Sequence, residues 1–542
     1  MLELTRVIAL AIAAAATAAL AGSANPASAA AAAPDKATSP WWGHIKVLAS
    51  DDFQGRLTGS PGYRKAAEYV AHTFEQDGLA PAGTNGYFQS VGFEVQSILA
   101  DKSRVQLVSK EGAASDVSDS LVLSPSVIQR PEVKARLVFV GYGVHLPEAG
   151  YDDFAGLDVR GAVVVYVVGG PSTVTGAQRA HSAAEVLPHY LEGAGALGTL
   201  SITLPKNREV PWARQKAAGS QPGMVLSEKA LRRYQGPMFS AAFDETKAEA
   251  LFAGSGHTFG EIVDRAMAHQ PMQHFALTPA LSAHVETAVS KVSSDNVVAE
   301  LPGSDPTLGA EAVALTAHLD HLGTGKPDHG DGIFHGAMDD ASGIATLLEI
   351  ADHMHRAKVK PKRSILFVAV CGEEKGLLGS RYFAAHPSRH EGRIVADLNS
   401  DMFLPLYPLS EVVGFGADES TLGDDLRAVG KEMQVGAVAD PQPDHLVFVR
   451  ADQYSFVRKG VPALMLQITP RPGTPEEGTY ARWFTERYHA QADDLDQPVD
   501  LAAADAYNRL VYRLALRVAD APSAPKWKDS SFFAKFAAHP LT

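Results

Sequence analysis

The sequence predicts an α/β fold: a mixed, mostly parallel sheet flanked by helices, interrupted by an inserted β-rich domain. Three observations carry this. Residues 312–316 and Ser364–Val370 are short, apolar, partly β-branched runs, as expected for strands buried on both faces of a parallel sheet. Between them Ile344, Leu347, Leu348, Ala351 and Met354 recur at helical spacing, so 342 to about 355 reads as the crossover helix. From about residue 131 the character changes to β-rich runs between glycine turns.

The chain opens with a segment to be set apart from the fold. Residues 1–29 hold one arginine (Arg6), an apolar region from Val7 to Ala21, and Ala27-Ser28-Ala29 as a small-residue cleavage site, the pattern of a secretory signal peptide. The expected location is therefore secreted or periplasmic, with no stable membrane anchor after cleavage. The apolar region is Ala-rich and short of the ~20 residues a span needs. Leu20-Ala21-Gly22-Ser23 puts serine where a bacterial lipoprotein box has its lipid-bearing cysteine. At 542 residues, 46% hydrophobic and 20% charged, the chain can bury a large core in more than one domain. A net charge of -14 with no basic block argues against nucleic acid as a partner. Cys371 is the only cysteine, so no intrachain disulfide forms. At the end of a buried strand beside two carboxylates, it reads as a core residue rather than a nucleophile.

After a small-residue linker, 41–48 reads as the first helix. Ser60 then caps a second, Pro61 fits its first position, and Tyr63, Ala66, Ala67, Val70, Ala71 and Phe74 form one apolar stripe that Gly78 ends. Residues 93–108 alternate like strands. The runs 136–143, 161–168 and 199–204 are β-rich and carry no clustered acids, bases or metal ligands, so 130–285 is read as an insertion splitting a main domain of 40–129 and 286–522. The sheet pattern resumes at 296–301, 461–468 is another buried strand, and 501–519 is a final amphipathic helix. Residues 523–542 form a tail with no readable pattern, and there are no internal repeats.

Chemistry-bearing residues gather where strands hand over to loops. His318 and Asp320 follow one strand, Glu373 and Glu374 another; Asp339 and Asp340 precede the crossover helix, and Asp401 and His489 lie further on. In open α/β sheets, sites form beyond the carboxyl ends of the strands. A two-metal site needs a bridging carboxylate, one more carboxylate and one imidazole per metal, and a free general base, and these residues supply that set. A lone His-x-Asp or Glu-Glu pair is a weak signal; the joint occurrence is a strong one. His321, His329 and His335 are expected to face solvent or stand behind the ligands, because the set is complete without them.

In this order and with these neighbours, the pieces resemble the zinc-dependent exopeptidases of the M28 aminopeptidase family, of the kind with an inserted protease-associated domain. The resemblance runs from Gln54-Gly55-Arg56 and Gly59-Ser60-Pro61-Gly62, through Val140-Gly141-Tyr142-Gly143 and Tyr151-Asp152-Asp153-Phe154-Ala155-Gly156, to Tyr488-His489. It implies a phosphorylase/hydrolase-like zinc-exopeptidase fold, two zinc ions per chain, and peptide substrates trimmed at the N-terminus. Residue by residue, it implies that His318, Asp339 and Asp401 hold one zinc and that Asp339, Glu374 and His489 hold the other, Asp339 bridging. Glu373 is then the general base that takes a proton from the attacking water and returns it to the leaving amine, and Tyr488 resembles a donor to the developing oxyanion. In this family the Asp339–Asp340 bond is often cis. Asp320 is placed to accept the other ring N–H of His318, and Asp493 that of His489, with Asp494 as an alternative. Asp452 reads either as orienting the substrate side of the pocket or as capping a loop; where relatives often carry histidine after it, this chain has Gln453.

Two rivals share the fold. A carboxypeptidase needs a cationic pocket for the free C-terminal carboxylate, to which Arg450, Arg458 or Arg471 could contribute. Glutaminyl cyclisation uses one zinc, and the complete two-metal set argues against it. A rival of another class is a non-catalytic binding scaffold, against which the intact ligands speak. The insertion reads equally as a cover over the site mouth or as a spacer. Side-chain preference and oligomeric state are not readable from the residues.

Overall fold

The runs Glu311–His318, Ser364–Val370, Arg393–Asn399 and Ala463–Ile468 are buried along nearly their whole length, so they need cover on both faces. In the computed structural model, which describes residues 35–541 except 209–210, 328–329, 389–391 and 443–446, they form the parallel centre of a mixed sheet. The signal segment 1–29 and His329 lie outside the described residues. The sheet runs Gly223–Leu226, Phe88–Ile98, Thr287–Leu301, Ser364–Val370, Glu311–His318, Arg393–Asn399, Ala463–Ile468, Glu411–Phe415, Gly436–Val438, with Ala80–Pro81 paired to Thr287–Leu301. Antiparallel neighbours flank the parallel centre on both sides.

Alternate residues along one strand feed two separate cores. Val313, Leu315, Ala317, Ile365, Phe367 and Ala369 face the helices Pro40–Leu48, Pro61–Gln76, Ala341–Arg356 and Leu501–Asp520. Ala312, Ala314, Leu366, Val368 and Val370 meet Phe383 and Phe456, from the helices Leu378–Ala385 and Gln453–Arg458. Each fully buried Leu, Ile, Val or Phe contributes roughly 1.5–3 kcal/mol relative to leaving it exposed. This two-sided burial holds the strand ends, and hence the loops beyond them, in register. The helix caps follow the sequence: the Ser60 hydroxyl accepts from Tyr63 N, and the Asp500 carboxylate from Ala503 N. No helix among the described residues is long and apolar enough to cross a membrane.

A second sheet runs Ala114–Asp116, Arg104–Val108, Phe275–His284, Glu132–Phe139, Ala162–Val167, Gly198–Ile202, Phe239–Phe243, Leu121–Leu123. Its middle is parallel too. The sheet recruits residues 104–123, which the sequence reading placed in the main domain, because Val105, Leu107 and Leu121 pack into its core. In the opposite sense, Gly223–Leu226 leaves the inserted stretch and pairs with Phe88–Ile98 of the main sheet.

The tail, unreadable in sequence, is packed. Trp527 Nε1 donates to Gly460 O at 2.8 Å, Lys535 Nζ reaches Glu148 Oε1 at 2.9 Å, and Phe533 and Phe536 are buried. With Phe532, these rings surround His181 of the inserted stretch at centroid distances of 5.5, 6.1 and 5.2 Å. The His181 Nδ1 lies 2.6 Å from the Tyr454 hydroxyl. Next to it, the buried Glu185 carboxylate pairs with Arg381 at 2.7 Å and Arg458 at 3.0 Å, one from each helix behind the main sheet. Burial pushes His181 down to about 4, helped by Lys535 and Arg458 and opposed by Glu185 and Glu148. Since the unfolded histidine titrates at its ordinary value of 6.5, this contribution is complete above that pH and is lost as pH falls toward 4. The loss is on the order of 3 kcal/mol. His181→Gln is expected to flatten that part of the stability curve, read from urea midpoints of both proteins across the same window.

Candidate metal centre

Three strand ends and one turn bring the acidic residues together. His318 is the last residue of its strand; its Nε2 lies 3.1 Å from Asp339 Oδ1 and 3.6 Å from Asp401 Oδ1. Asp401 follows the strand Arg393–Asn399, and Glu373 and Glu374 follow Ser364–Val370 through Cys371 and Gly372. On the other side of Asp339, His489 Nε2 is 3.3 Å from Asp339 Oδ2 and 3.3 Å from Glu374 Oε2. Asp339 thus turns one oxygen to each group. The Asp339–Asp340 peptide is cis.

These spacings suit a cation. Nitrogen and oxygen donors ~2.0–2.1 Å from a tetrahedral zinc ion lie about 3.3 Å from one another. Asp339 Oδ2 and Glu374 Oε1 are buried without a well-aligned hydrogen bond, although His489 Nε2 comes within 3.3 Å of the first and His321 Nδ1 within 2.7 Å of the second. Burial alone would push Asp339 up, yet His321, His318 and His489 hold it well below the usual carboxylate range. Conversely, burial would lower His489, but Glu374 and Asp339 draw it up to about 9. The field at this point favours positive charge.

Asp340, Asp320 and Asp493 are engaged by the scaffold instead. Asp340 caps the helix Ala341–Arg356: its Oδ1 accepts from Gly343 N at 2.9 Å and Met402 N at 3.2 Å, its Oδ2 from His318 N at 3.3 Å. Gly343 is required here, since a Cβ would stand 2.0 Å from Ser400 O. Two expectations about supporting acids are corrected. Asp320 serves His318 through its backbone carbonyl, which Nδ1 meets at 3.0 Å. Its carboxylate is already occupied by Thr58 Oγ1 at 2.8 Å and Glu373 N at 3.1 Å. Asp493 accepts from Met338 N and Asp339 N, both at 3.0 Å, and from Gln497 Nε2 at 2.7 Å, and so holds the Asp339 turn rather than the His489 ring. Asp494 is half-buried and pairs with Arg487.

Of the two places expected for His321, solvent or behind the ligands, the structure shows the second. The ring is fully buried, with Nδ1 2.7 Å from Glu374 Oε1 and 3.9 Å from Asp339 Oδ2, and it forms a potential donor group with those two residues. Glu374 therefore divides its oxygens, Oε1 to His321 and Oε2 toward His489. The signal available in sequence was the spacing His318-x-x-His321 at a strand end, discounted because the ligand set was already complete. His335 pairs with the exposed Asp51 instead.

A cavity of about 750 Å³ opens onto the cluster. His318, Asp339, Glu373, Glu374, Asp401, Tyr488 and His489 all line it. The Tyr488 ring stacks on His489 at 3.9 Å. Of the three arginines considered, Arg450 lines the cavity, whereas Arg458 is buried against Glu185 and Arg471 pairs with Glu411 on the surface. Asp452 sits at the N-cap position of the helix Gln453–Arg458 without capping it through its side chain; burial pushes it up to about 7. Cys371 is buried, its thiol pushed well up by burial, in keeping with a core role.

Residues 296–515 match the family model described as Peptidase family M28. Over 248 residues the chain is 28% identical to "probable leucine aminopeptidase 2" of Aspergillus oryzae, covering 44% of this chain and 47% of that protein. Over 118 residues it is 37% identical to a "Probable zinc metalloprotease" of Pyrenophora teres f. teres, covering 22% and 24%. The chain thus spans about half the length of the first relative and a quarter of the second. The structure resembles the aminopeptidase from Aneurinibacillus sp. strain AM-1 with a TM-score of 0.52, at 19% identity, over 90% of this chain and 94% of that one, a likeness of fold. The stretch from 296 to 515, which matches the model of peptidase family M28, contains the whole cluster of histidines and carboxylates.

Proposed function

We propose that this protein is a two-zinc aminopeptidase that removes N-terminal residues from peptides, and that residues 1–29 direct it to the periplasm or outside the cell. The observation that carries the reading is that Asp339 turns one oxygen to His318, in a donor group with Asp401, and the other to His489, which also lies 3.3 Å from Glu374, with His321 behind Glu374 and Glu373 lining the same cavity outside both sets. His318, Asp339 and Asp401 would hold one zinc, and Asp339, Glu374 and His489 the other. When bound, the pair supplies Lewis acidity to a peptide carbonyl and makes an attacking water more acidic.

The protein's own groups do the rest. Burial, reinforced by Glu374, Asp401 and Asp452 and opposed by His318, pushes Glu373 well above the usual carboxylate range. Glu373 takes the proton from the water and passes it to the leaving amine. Tyr488 lines the cavity with its ring on His489, which supports a role in donating a hydrogen bond to the oxyanion. Met402, Phe415, Met465 and Phe484 give the cavity an apolar wall suited to an apolar side chain. Residues of the second sheet act as a protease-associated insertion in this reading. Removal from the C-terminus is favoured by one observation, the presence of Arg208 and Arg450 on the cavity wall.

The deciding experiment pairs an aminoacyl anilide with its N-acetylated twin and a peptide with a free carboxyl end. Cleavage confined to the free-amine substrate supports the proposal; release of C-terminal residues replaces it with the carboxypeptidase. Glu373→Ala is expected to keep its zinc, measured by elemental analysis, and to lose about 10²–10⁴-fold in kcat. His321→Phe is expected to weaken zinc binding about 10–100-fold in competition with a chelator, since Glu374 then loses the group that divides its oxygens.

A further inference from the structure

The segment Arg56–Leu57–Thr58 lies far from the ligands in sequence, outside the stretch that matches the family model, and does not line the cavity. Nevertheless it touches three of the loops that carry the site, those of His318, Asp339 and Glu373. Arg56 is fully buried and donates to four carbonyls: Nε to Leu319 O at 2.9 Å, Nη1 to Leu48 O at 2.6 Å and His335 O at 2.7 Å, and Nη2 to Gly336 O at 2.9 Å. Its own carbonyl accepts from His321 N at 3.2 Å, and Leu57 bridges to His321. Thr58, also buried, uses its hydroxyl twice. It accepts from Gly372 N at 3.1 Å and donates to Asp320 Oδ2 at 2.8 Å.

From there the connection divides. The second oxygen of Asp320 accepts from Glu373 N at 3.1 Å, and the carbonyl of Asp320 meets His318 Nδ1 at 3.0 Å. One hydroxyl therefore fixes the loop of the base and the ring of a zinc ligand together. Because it accepts from an amide, its proton has a single place to go, the Asp320 carboxylate.

We infer that Thr58 is a positioning residue for the proposed reaction, acting through Asp320 on Glu373 and His318, with Arg56 holding the two adjoining loops at a fixed spacing. This rests on the zinc aminopeptidase reading for its effect on turnover. Its effect on metal binding needs no turnover at all.

Thr58→Val keeps the shape and deletes the hydroxyl, Thr58→Ser keeps the hydroxyl and deletes the methyl, and Asp320→Asn disrupts the acceptor. Zinc affinity is measured on each by chelator competition, and kcat and KM on the anilide. Thr58→Val is expected to bind zinc about 10–100-fold more weakly, and to lose kcat with KM within about threefold of wild type. Thr58→Ser should recover most of both, which a packing role would not allow. The double variant Thr58→Val/Asp320→Asn should be no worse than the poorer single variant, since both cut one connection. Wild-type zinc affinity in Thr58→Val, a Thr58→Ser as impaired as Thr58→Val, or additive losses in the double variant would each overturn the inference. If Thr58→Val does not fold, Thr58→Ser and Asp320→Asn decide: the brace requires near wild-type affinity in the first and loss in the second. An inactive wild type that still binds zinc removes the aminopeptidase reading and leaves the affinity comparison standing.

Discussion

The structure depends on managing the crowding of carboxylates beyond the ends of the parallel strands. Asp320, Asp339, Asp340, Asp401, Asp452 and Asp493 are all buried within one region, joined by Glu373 and Glu374. Taking a carboxylate out of water costs several kcal/mol unless hydrogen bonds or opposite charge replace the lost hydration. The fold meets this selectively. Backbone amides satisfy Asp340, Asp493 and Asp320, a helix N-terminus adds its positive end at Asp340, and Arg56 supplies a buried positive charge with its donors spent on carbonyls. Oxygens of Asp339 and Glu374 receive no backbone help and converge, and both oxygens of Asp452 are also buried without a hydrogen bond. The site is defined as much by which acids the scaffold satisfies as by which it leaves wanting.

That selectivity requires the loops to be held from two directions. The two-sided packing of the central strands sets where His318, Asp401 and the Glu373–Glu374 pair emerge. Contacts running across the loops, through Asp340, Asp493 and Thr58, then set how they face one another. Neither would suffice alone, because strand register places a backbone to within a residue but does not aim a side chain.

Much of this was legible in the residues. Unbroken apolar runs announced the central strands, the Ser60-Pro61 start and apolar stripe announced the helix Pro61–Gln76, and acids and histidines at strand ends announced the cluster. Hydrogen-bond bookkeeping was not legible. A spacing of two residues made the Asp320 carboxylate look like the partner of His318, and nothing local shows that Thr58 and Glu373 N occupy it first. For His321 the sequence left open whether it faces solvent or stands behind the ligands, because counting ligands does not show that the second oxygen of Glu374 has a neighbour of its own. The start of the second sheet was misplaced for a related reason: residues 104–123 alternate as any strand does, and only long-range packing decides which sheet they join.

The short strand Gly223–Leu226 changes how the two sheets should be regarded. It comes from the middle of the stretch that builds the second sheet, yet its backbone completes the margin of the first, against Phe88–Ile98. A stretch that builds one sheet and hands a strand to the other is woven in rather than hung on. Such a unit cannot be swapped between relatives like a cassette, because excising it would strip the host sheet of its outermost strand and leave an unpaired hydrogen-bonding edge open to other chains. The backbone ladder between Gly223–Leu226 and Phe88–Ile98 thus ties the fold of each sheet to that of the other.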